Sequence, residues 1–417
     1  MSAIDVRAAA DSVFREQSGR IIATLIRISG SFDRAEEAMQ EAFASALASW
    51  PESGIPQNPA AWITTAAHRK LIDQNRRQRT VHEKEDSLRY EIEALRSPED
   101  SELEEDSMHF ADDRLRLIFT CCHPALNQDA QIALTLRTLG GLSTPEIAKA
   151  FLLPEPTLAQ RLVRAKRKIQ EARIRYEVPP AERLPERLTS VQAVIYLVFN
   201  EGYSAASGKQ LVRRDMCAEA IRLGRTLCEL MPDNAENIGL LALMLLHDSR
   251  REGRVRDSKL VTLEEQDRSL WDREEIAEGL LLVEKALHRG PLGSYQLQAA
   301  IAAVHAEAQT PETTDWLQIK ALYDRLLEIN PSPVVALNRC VAVAMGHGLE
   351  KGLKSIEELG SAGELDQYYL FHAARADILR RMERRLEAAE AYRRAIPLAT
   401  NMIEQEFLKR RLAEVSR

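Results

Sequence analysis

Two stretches of the chain carry residue types suited to holding a polyphosphate. Residues 154–175 contain Arg161, Arg164, Lys166, Arg167, Lys168, Arg173 and Arg175 against Glu155 and Glu171, a local balance of +5. Residues 62–80 contain Arg69, Lys70, Arg76, Arg77 and Arg79 against Asp73, a balance of +4. Basic groups at this density are the electrostatic footprint of nucleic-acid binding. Groups able to read or trap bases stand among them. Thr157 and Gln160 lie early on the predicted helix of the first stretch, where side chains reach base edges. Trp62 and His68 offer rings for unstacked bases, with Arg69, Arg76 and Arg77 for the backbone. Asp73 is placed to orient neighbouring arginines.

These groups need helices to position them, and helix signals run through the whole chain while strand signals are nearly absent. A first helix is predicted over 8–29, with Val13, Ile21, Leu25 and Ile28 inward. Asp33 is expected to cap the next helix, with Glu36 as its capping-box partner. Met39, Phe43, Ala46, Leu47 and Trp50 recur at helical spacing as its buried stripe. Glu37, Gln40, Glu41 and Ala44 then face outward. A loop is expected over Pro51–Gln57. Asn58-Pro59 reads as a cap and first-turn proline, opening a helix to about Arg77 with Ile63, Ala67 and Leu71 inward.

Residues 83–113 hold thirteen acids and three bases, a balance of −10, and read as a linker. A second unit follows over 112–176. Leu115, Leu117, Ile118 and Phe119 begin its core, and Ile132, Leu134, Leu136 and Leu139 extend it to a break at Gly140-Gly141. Ser143 and Glu146 pair as a capping box. After a turn at Phe151–Pro154, the last helix turns Leu158, Leu162 and Ala165 inward and Gln160, Arg161, Arg164 and Lys168 outward. A short helix, a tight turn and a basic helix make a helix-turn-helix, whose second helix enters a major groove. Tyr176 to Pro185 reads as a boundary. Beyond it, Pro232, Pro331 and Pro397 follow related segments and are 99 and 66 residues apart, multiples of 33. That is close to the tetratricopeptide period, and such repeats stack into a curved binding surface.

Composition bounds the function. The chain has 417 residues, net charge −7, 45% hydrophobic and 5% aromatic residues, which suits several helical, globular domains. No apolar run reaches the length of a membrane span, and no signal peptide is expected. Five scattered cysteines fit free thiols in a reducing cytoplasm. Cys121-Cys122-His123 lacks the ligand spacing of a zinc site, so neither metal nor cofactor is expected. The sequence holds no P-loop, nucleophile elbow, HExxH or dinucleotide fingerprint, and no enzymatic activity is expected.

In the first 180 residues these motifs resemble a bacterial extracytoplasmic-function sigma factor, a small specificity subunit of RNA polymerase. Asp33-Arg-Ala-Glu-Glu-Ala-Met-Gln-Glu-Ala-Phe43 resembles the helix of region 2 that binds core polymerase. The resemblance implies that role for Asp33, Glu36, Glu37, Gln40, Glu41 and Phe43. Ala61-Trp62-Ile63 through His68-Arg69-Lys-Leu-Ile-Asp73-Gln-Asn75-Arg76-Arg77 resembles the helix that melts and reads the −10 element. Ser143-Thr-Pro-Glu146-Ile-Ala148, with Thr157 and Arg161-Leu-Val-Arg164-Ala-Lys166, resembles the region 4 helix-turn-helix that reads the −35 element, with Gln160 and Arg167 beside it. Phe151-Leu152 and Ala159-Gln160 depart from the usual pattern and put the −35 specificity in doubt.

The extension resembles the subgroup carrying a C-terminal tetratricopeptide-like domain, as do Thr120-Cys-Cys-His-Pro124 and Tyr196-Leu-Val-Phe-Asn-Glu-Gly-Tyr203. The expectation is an all-α, cytoplasmic protein. Residues 1–80 form region 2, 81–111 an acidic linker, 112–180 region 4, and 185–417 a tetratricopeptide-like regulatory domain. The linker either occupies a basic polymerase channel or is a plain spacer. Expected partners are core RNA polymerase, promoter DNA and a protein or peptide on the repeat domain, with no membrane. The alternative is a helix-turn-helix regulator with a peptide-binding repeat domain.

Overall fold

The computed structural model describes residues 3–81, 113–150, 153–203, 214–256 and 259–416, apart from the side chains of 3–5, 8, 11, 15, 16, 73–81, 149, 150 and 215. The acidic linker and the Phe151-Leu152 turn lie outside the described residues. The fold is all-α. The chain divides into two compact units, 1–194 and 195–417.

Three long helices open the first unit: α1 (Ala3–Ser29), α2 (Phe32–Ser53) and α3 (Pro59–Val81). Each packs on the other two. The start of α2 differs from the expectation. Ser31, not Asp33, is the cap, and its hydroxyl accepts the Arg34 N–H. Asp33 sits inside the first turn, where its charge suits the helix dipole. Along α2, Met39, Ala46 and Trp50 are buried as expected and Phe43 is half-buried, but Leu47 is exposed. Ala35, Ala38 and Ala42 take the inward positions instead. These small side chains let α1 and α3 approach, and the stripe rotates away from Leu47.

The expected loop at Pro51 begins later. α2 continues through Pro51 to Ser53, and the Gly54 N–H bonds back to the Trp50 carbonyl. Asn58 caps α3 as predicted, its Oδ1 accepting the Ala61 N–H at 3.1 Å. Ile63, Ala67 and Leu71 are fully buried. Trp62 meets Trp50 edge to face, ring centres 5.6 Å apart.

Residues 113–121 form α4. α5 (Gln128–Thr138) ends before Gly140-Gly141, and α6 (Thr144–Ala150) and α7 (Glu155–Glu171) follow. Leu117, Ile118, Phe119, Leu134 and Leu136 form the buried centre, while Leu115 is half-buried.

Helix α8 (Leu184–Tyr203) runs across the division between units. The second unit continues with α9 (Arg214–Leu230), α10 (Ala235–Asp248) and the short α11 (Arg251–Arg254). A two-residue hairpin follows, β1 (Val255–Arg256) against β2 (Lys259–Leu260), with Val255 opposite Leu260. Then come α12 (Arg273–Leu287), α13 (Ser294–Glu307), α14 (Trp316–Ile329), α15 (Pro333–His347), α16 (Leu349–Gly360), α17 (Tyr369–Arg381), α18 (Arg385–Ala395) and α19 (Met402–Val415). Successive helices pack pairwise, α14 on α15, α15 on α16 and α17 on α18. Pro232 and Pro331 each follow a helix end, and Pro397 lies in the 3₁₀ turn after α18. There proline costs no intrahelical hydrogen bond.

Trp50 is fully buried and Leu47 is exposed although both were expected in one stripe. Trp50→Ala is therefore expected to cost about 3–5 kcal/mol and Leu47→Ala less than about 0.5 kcal/mol. Urea unfolding followed by circular dichroism at 222 nm separates them.

Candidate nucleic-acid interface

Helix α6 is fixed to its preceding loop by a reciprocal cap. The Glu146 carboxylate accepts the Ser143 N–H at 2.7 Å, and the Ser143 hydroxyl accepts the Glu146 N–H at 3.4 Å. This is the predicted capping box. Ile147 and Ala148 on α6 are buried, as are Leu158, Leu162, Ala165 and Ile169 on α7. With that stripe fixed inward, helical geometry sends Thr157, Gln160, Arg164, Arg167 and Lys168 to the surface. An open groove of about 640 Å³ runs beside Thr157, Gln160, Arg161, Arg164, Arg167 and Lys168. Arg161 is half-buried and pairs with Asp129 at 3.2 Å. Arg167 pairs with Glu171 one turn on, at 2.7 Å. Arg164 and Lys168 have no carboxylate partner among the described residues.

Lys166 departs from its expected place. It was grouped with the phosphate-contacting residues of α7, but its ammonium bonds Glu36 at 2.6 Å and Asp33 at 3.1 Å on α2. Lys166 and Glu36 are both largely buried by this contact. One α7 cation thus occupies two acids of the helix that resembles the polymerase-binding element. The remaining members of that helix divide. Glu37 and Gln40 are exposed, Glu41 pairs with Lys70 of α3 at 3.4 Å, and Phe43 packs edge to face on Phe14.

On α3, Arg69 is exposed and Trp62 half-buried. His68 is half-buried, and burial followed by the Arg27 charge lowers its pKa, so the ring is neutral near pH 7. The side chains of Asp73, Asn75, Arg76 and Arg77 lie outside the described residues. The Trp62 and Thr157 groups thus sit on separate helices, and it is Lys166 that crosses to the acidic set.

Three further contacts join α1 to the helix-turn-helix half. Gly19 lies so close to α5's end that a Cβ there would stand 3.0 Å from the Leu139 carbonyl oxygen. Arg27 bonds the buried carboxylate of Asp113 at 2.8 Å. Tyr176, in the segment read as a boundary, places its hydroxyl 2.9 Å from the Ala23 carbonyl and 3.0 Å from the Asp113 carbonyl. Burial, then the Asp113 charge, pushes that hydroxyl's pKa up, keeping it a donor. Sequence reasoning missed Gly19, Arg27, Asp113 and Asp129. Their partners lie far away along the chain, and no local periodicity marks them.

Cys121 and Cys122 are buried against Thr138 and Thr135, at 3.2 and 3.6 Å. Burial raises both thiols, Cys122 to about 12. Protonated, packed thiols are poor metal ligands and poor nucleophiles.

With this geometry in view, family models match in the same order as the motifs. "Sigma-70 region 2" covers residues 13–81, and "Sigma-70, region 4" covers 116–169. These two matches support a sigma-70 type protein. A family of unknown function, DUF6596, covers 187–287. The chain is 46% identical over 394 residues to "Uncharacterized protein R00370" of Rhizobium meliloti (strain 1021), covering 93% of this chain and 91% of that protein. The two belong to one family. No solved structure matches. Regions 2 and 4 together imply binding to core RNA polymerase and promoter DNA in transcription initiation. Among the described residues, no helix is long and apolar enough to cross a membrane.

Lys166→Glu would set three carboxylates side by side at the α2–α7 contact. It is expected to destabilise the first unit by about 1–3 kcal/mol, with Glu36→Lys in the same chain recovering most of the loss. A double-mutant cycle in chemical unfolding measures the coupling.

Proposed function

We propose that this protein is an initiation factor of the extracytoplasmic-function class, working in the cytoplasm with sigma-free core polymerase. The observation that carries the reading is α7: a capped helix-turn-helix whose buried stripe leaves Thr157, Gln160, Arg164, Arg167 and Lys168 along an open basic groove. In this reading Thr157 and Gln160 read base edges of the −35 element. Arg161, Arg164 and Arg167 fix its phosphates. Trp62, His68 and Arg69, with Asp73, Asn75, Arg76 and Arg77, act on the −10 element. Asp33, Glu36, Glu37, Gln40, Glu41 and Phe43 bind core polymerase. Residues 185–417 act as a tetratricopeptide-like domain that binds a partner and sets activity, in place of a separate inhibitor protein.

The Lys166 contact adds a condition. Glu36, largely buried against Lys166, serves polymerase only when released from it, whereas Asp33 keeps an exposed carboxylate oxygen. Core polymerase and the α2–α7 contact therefore compete. Lys166→Ala, or the wedge Gly19→Val at the α1–α5 approach, is expected to tighten core binding several-fold by removing that competition. Binding of labelled protein to purified core polymerase measures it, and weaker or unchanged binding in both variants would remove the condition.

Transcription in vitro from the protein's own genomic promoters, with sigma-free core, tests the main reading. Transcripts sharing a −35/−10 pair are expected. Arg164→Ala should reduce them about tenfold, with a shallower salt dependence of promoter binding. Removing residues 195–417 keeps α8's Arg187, which bonds the Phe119 carbonyl, and is expected to alter the output. Promoter-specific binding by the free chain, with neither transcripts nor core binding, would favour the regulator reading instead.

A further inference from the structure

The second unit holds a concentration of positive charge that none of the roles above uses. Three arginines converge where α8, α10, α11 and α13 meet the 3₁₀ turn at 268–270. Arg254 stacks on the Tyr203 ring, 3.6 Å from its centre. Arg268 lies over the Trp271 ring at 4.6 Å, and Arg250 lies 6.0 Å from the same ring. Arg250 is 93% buried, being 7% exposed. Its terminal nitrogen lies 3.4 Å from the Tyr203 hydroxyl, and its Nε has no hydrogen-bond partner. Gly253 permits the approach, since a Cβ there would meet the Trp271 indole nitrogen at 3.2 Å.

None of these three guanidinium groups has a carboxylate partner among the described residues. The acids nearby are already engaged. Asp248 and Glu275 bond Arg251, and Glu252 bonds Arg214. Glu312 reaches Arg268 only as an exposed charge. Two imidazoles complete the cluster. His247 stacks near Tyr203 with ring centres 5.2 Å apart, and His305 packs edge to face on Trp316. Burial, then Arg250 with Arg254 or Arg268, lowers both imidazoles, His305 to about 4. Tyr203 is lowered by Arg250 and Arg254 against its own burial.

Burying a cation beside other cations is costly unless an anion compensates. Stacking of a guanidinium on an aromatic face fixes its plane and leaves its N–H edge for an oxyanion. Tyr203, His247, Arg254, Arg268 and His305 are half-buried, so the cluster reaches solvent. We propose that Arg250, Arg254 and Arg268, with Tyr203, His247 and His305, form an oxyanion site that takes a phosphate-bearing small molecule. Arg268 also donates through one terminal nitrogen to the carbonyls of His305 and Ala308. Three cations without a carboxylate among the described residues, crowded around Arg250, match a dianion whose two charges sit on one tetrahedral group. A dicarboxylate carries the same charge split over two centres.

Thermal unfolding of the full chain tests this, with inorganic phosphate, glycerol phosphate and pyrophosphate as probes and succinate at matched ionic strength as control. At tenfold the dissociation constant, a phosphate probe is expected to raise the midpoint of the second unit by about 3–6 °C. The rise should vanish in Arg250→Met and in Arg254→Gln and persist in Arg393→Gln, an exposed arginine elsewhere. If Arg250→Met does not fold, Arg254→Gln decides. No saturable rise with any phosphate probe, an equal rise with succinate, or a rise that survives both cluster variants would overturn the proposal. The readout needs neither polymerase nor promoter, so it stands apart from the initiation reading.

Discussion

The carboxylate of Asp113 is buried, and a buried carboxylate must be paired. Its partners are Arg27 on α1 and Arg116 on its own helix. That requirement binds the start of the helix-turn-helix half to the three-helix bundle. The Tyr176 hydroxyl closes the same place by reaching the carbonyls of Ala23 and Asp113. Gly19 admits the end of α5 at a distance no larger residue allows without adjustment. Once α1 is held here, α7 lies where Lys166 meets Asp33 and Glu36. The state of α2 and the state of α7 are then one question.

Charge in this protein does two different kinds of work. On α7, Arg164, Arg167 and Lys168 are displayed outward over a stripe of Leu, Ile and Ala, and on α3 Arg69 is exposed. Around Arg250 it is drawn inward, against aromatic faces and away from the acids, which serve Arg251 and Arg214 instead. Exposed cations are cheap in water and useful to a polyanion. Inward cations without carboxylates are costly, and that cost makes the cluster a place where binding an anion would stabilise the fold.

Much of the first unit was legible in the sequence because its signals are local. Asn58-Pro59 starts α3, Ser143 and Glu146 pair across one turn, and Ile63, Ala67 and Leu71 fall on one face by spacing alone. The errors are also local in origin. Ser31 and Asp33 are both good caps, and only the path of the chain out of α1 selects Ser31. Leu47 matches the period of its stripe as well as Trp50 does. Which of them is buried depends on where α1 and α3 lie, and alanines at 35, 38 and 42 draw them to another side of α2. Pro51 reads as a stop, yet the last turn of a helix tolerates it when Gly54 supplies the closing bond.

The sequence by itself determined the helical class, the order of the motifs and the outward basic face of α7, because periodicity and capping act over three or four residues. Only the tertiary structure decided that Lys166 faces acids rather than solvent, that Asp113 needs Arg27, and that Arg250, Arg254 and Arg268 gather without a carboxylate among the described residues. Each of those joins positions whose separation along the chain carries no pattern. Such a pairing is selected by the cost of leaving a charge or a polar group unpaired inside a packed interior.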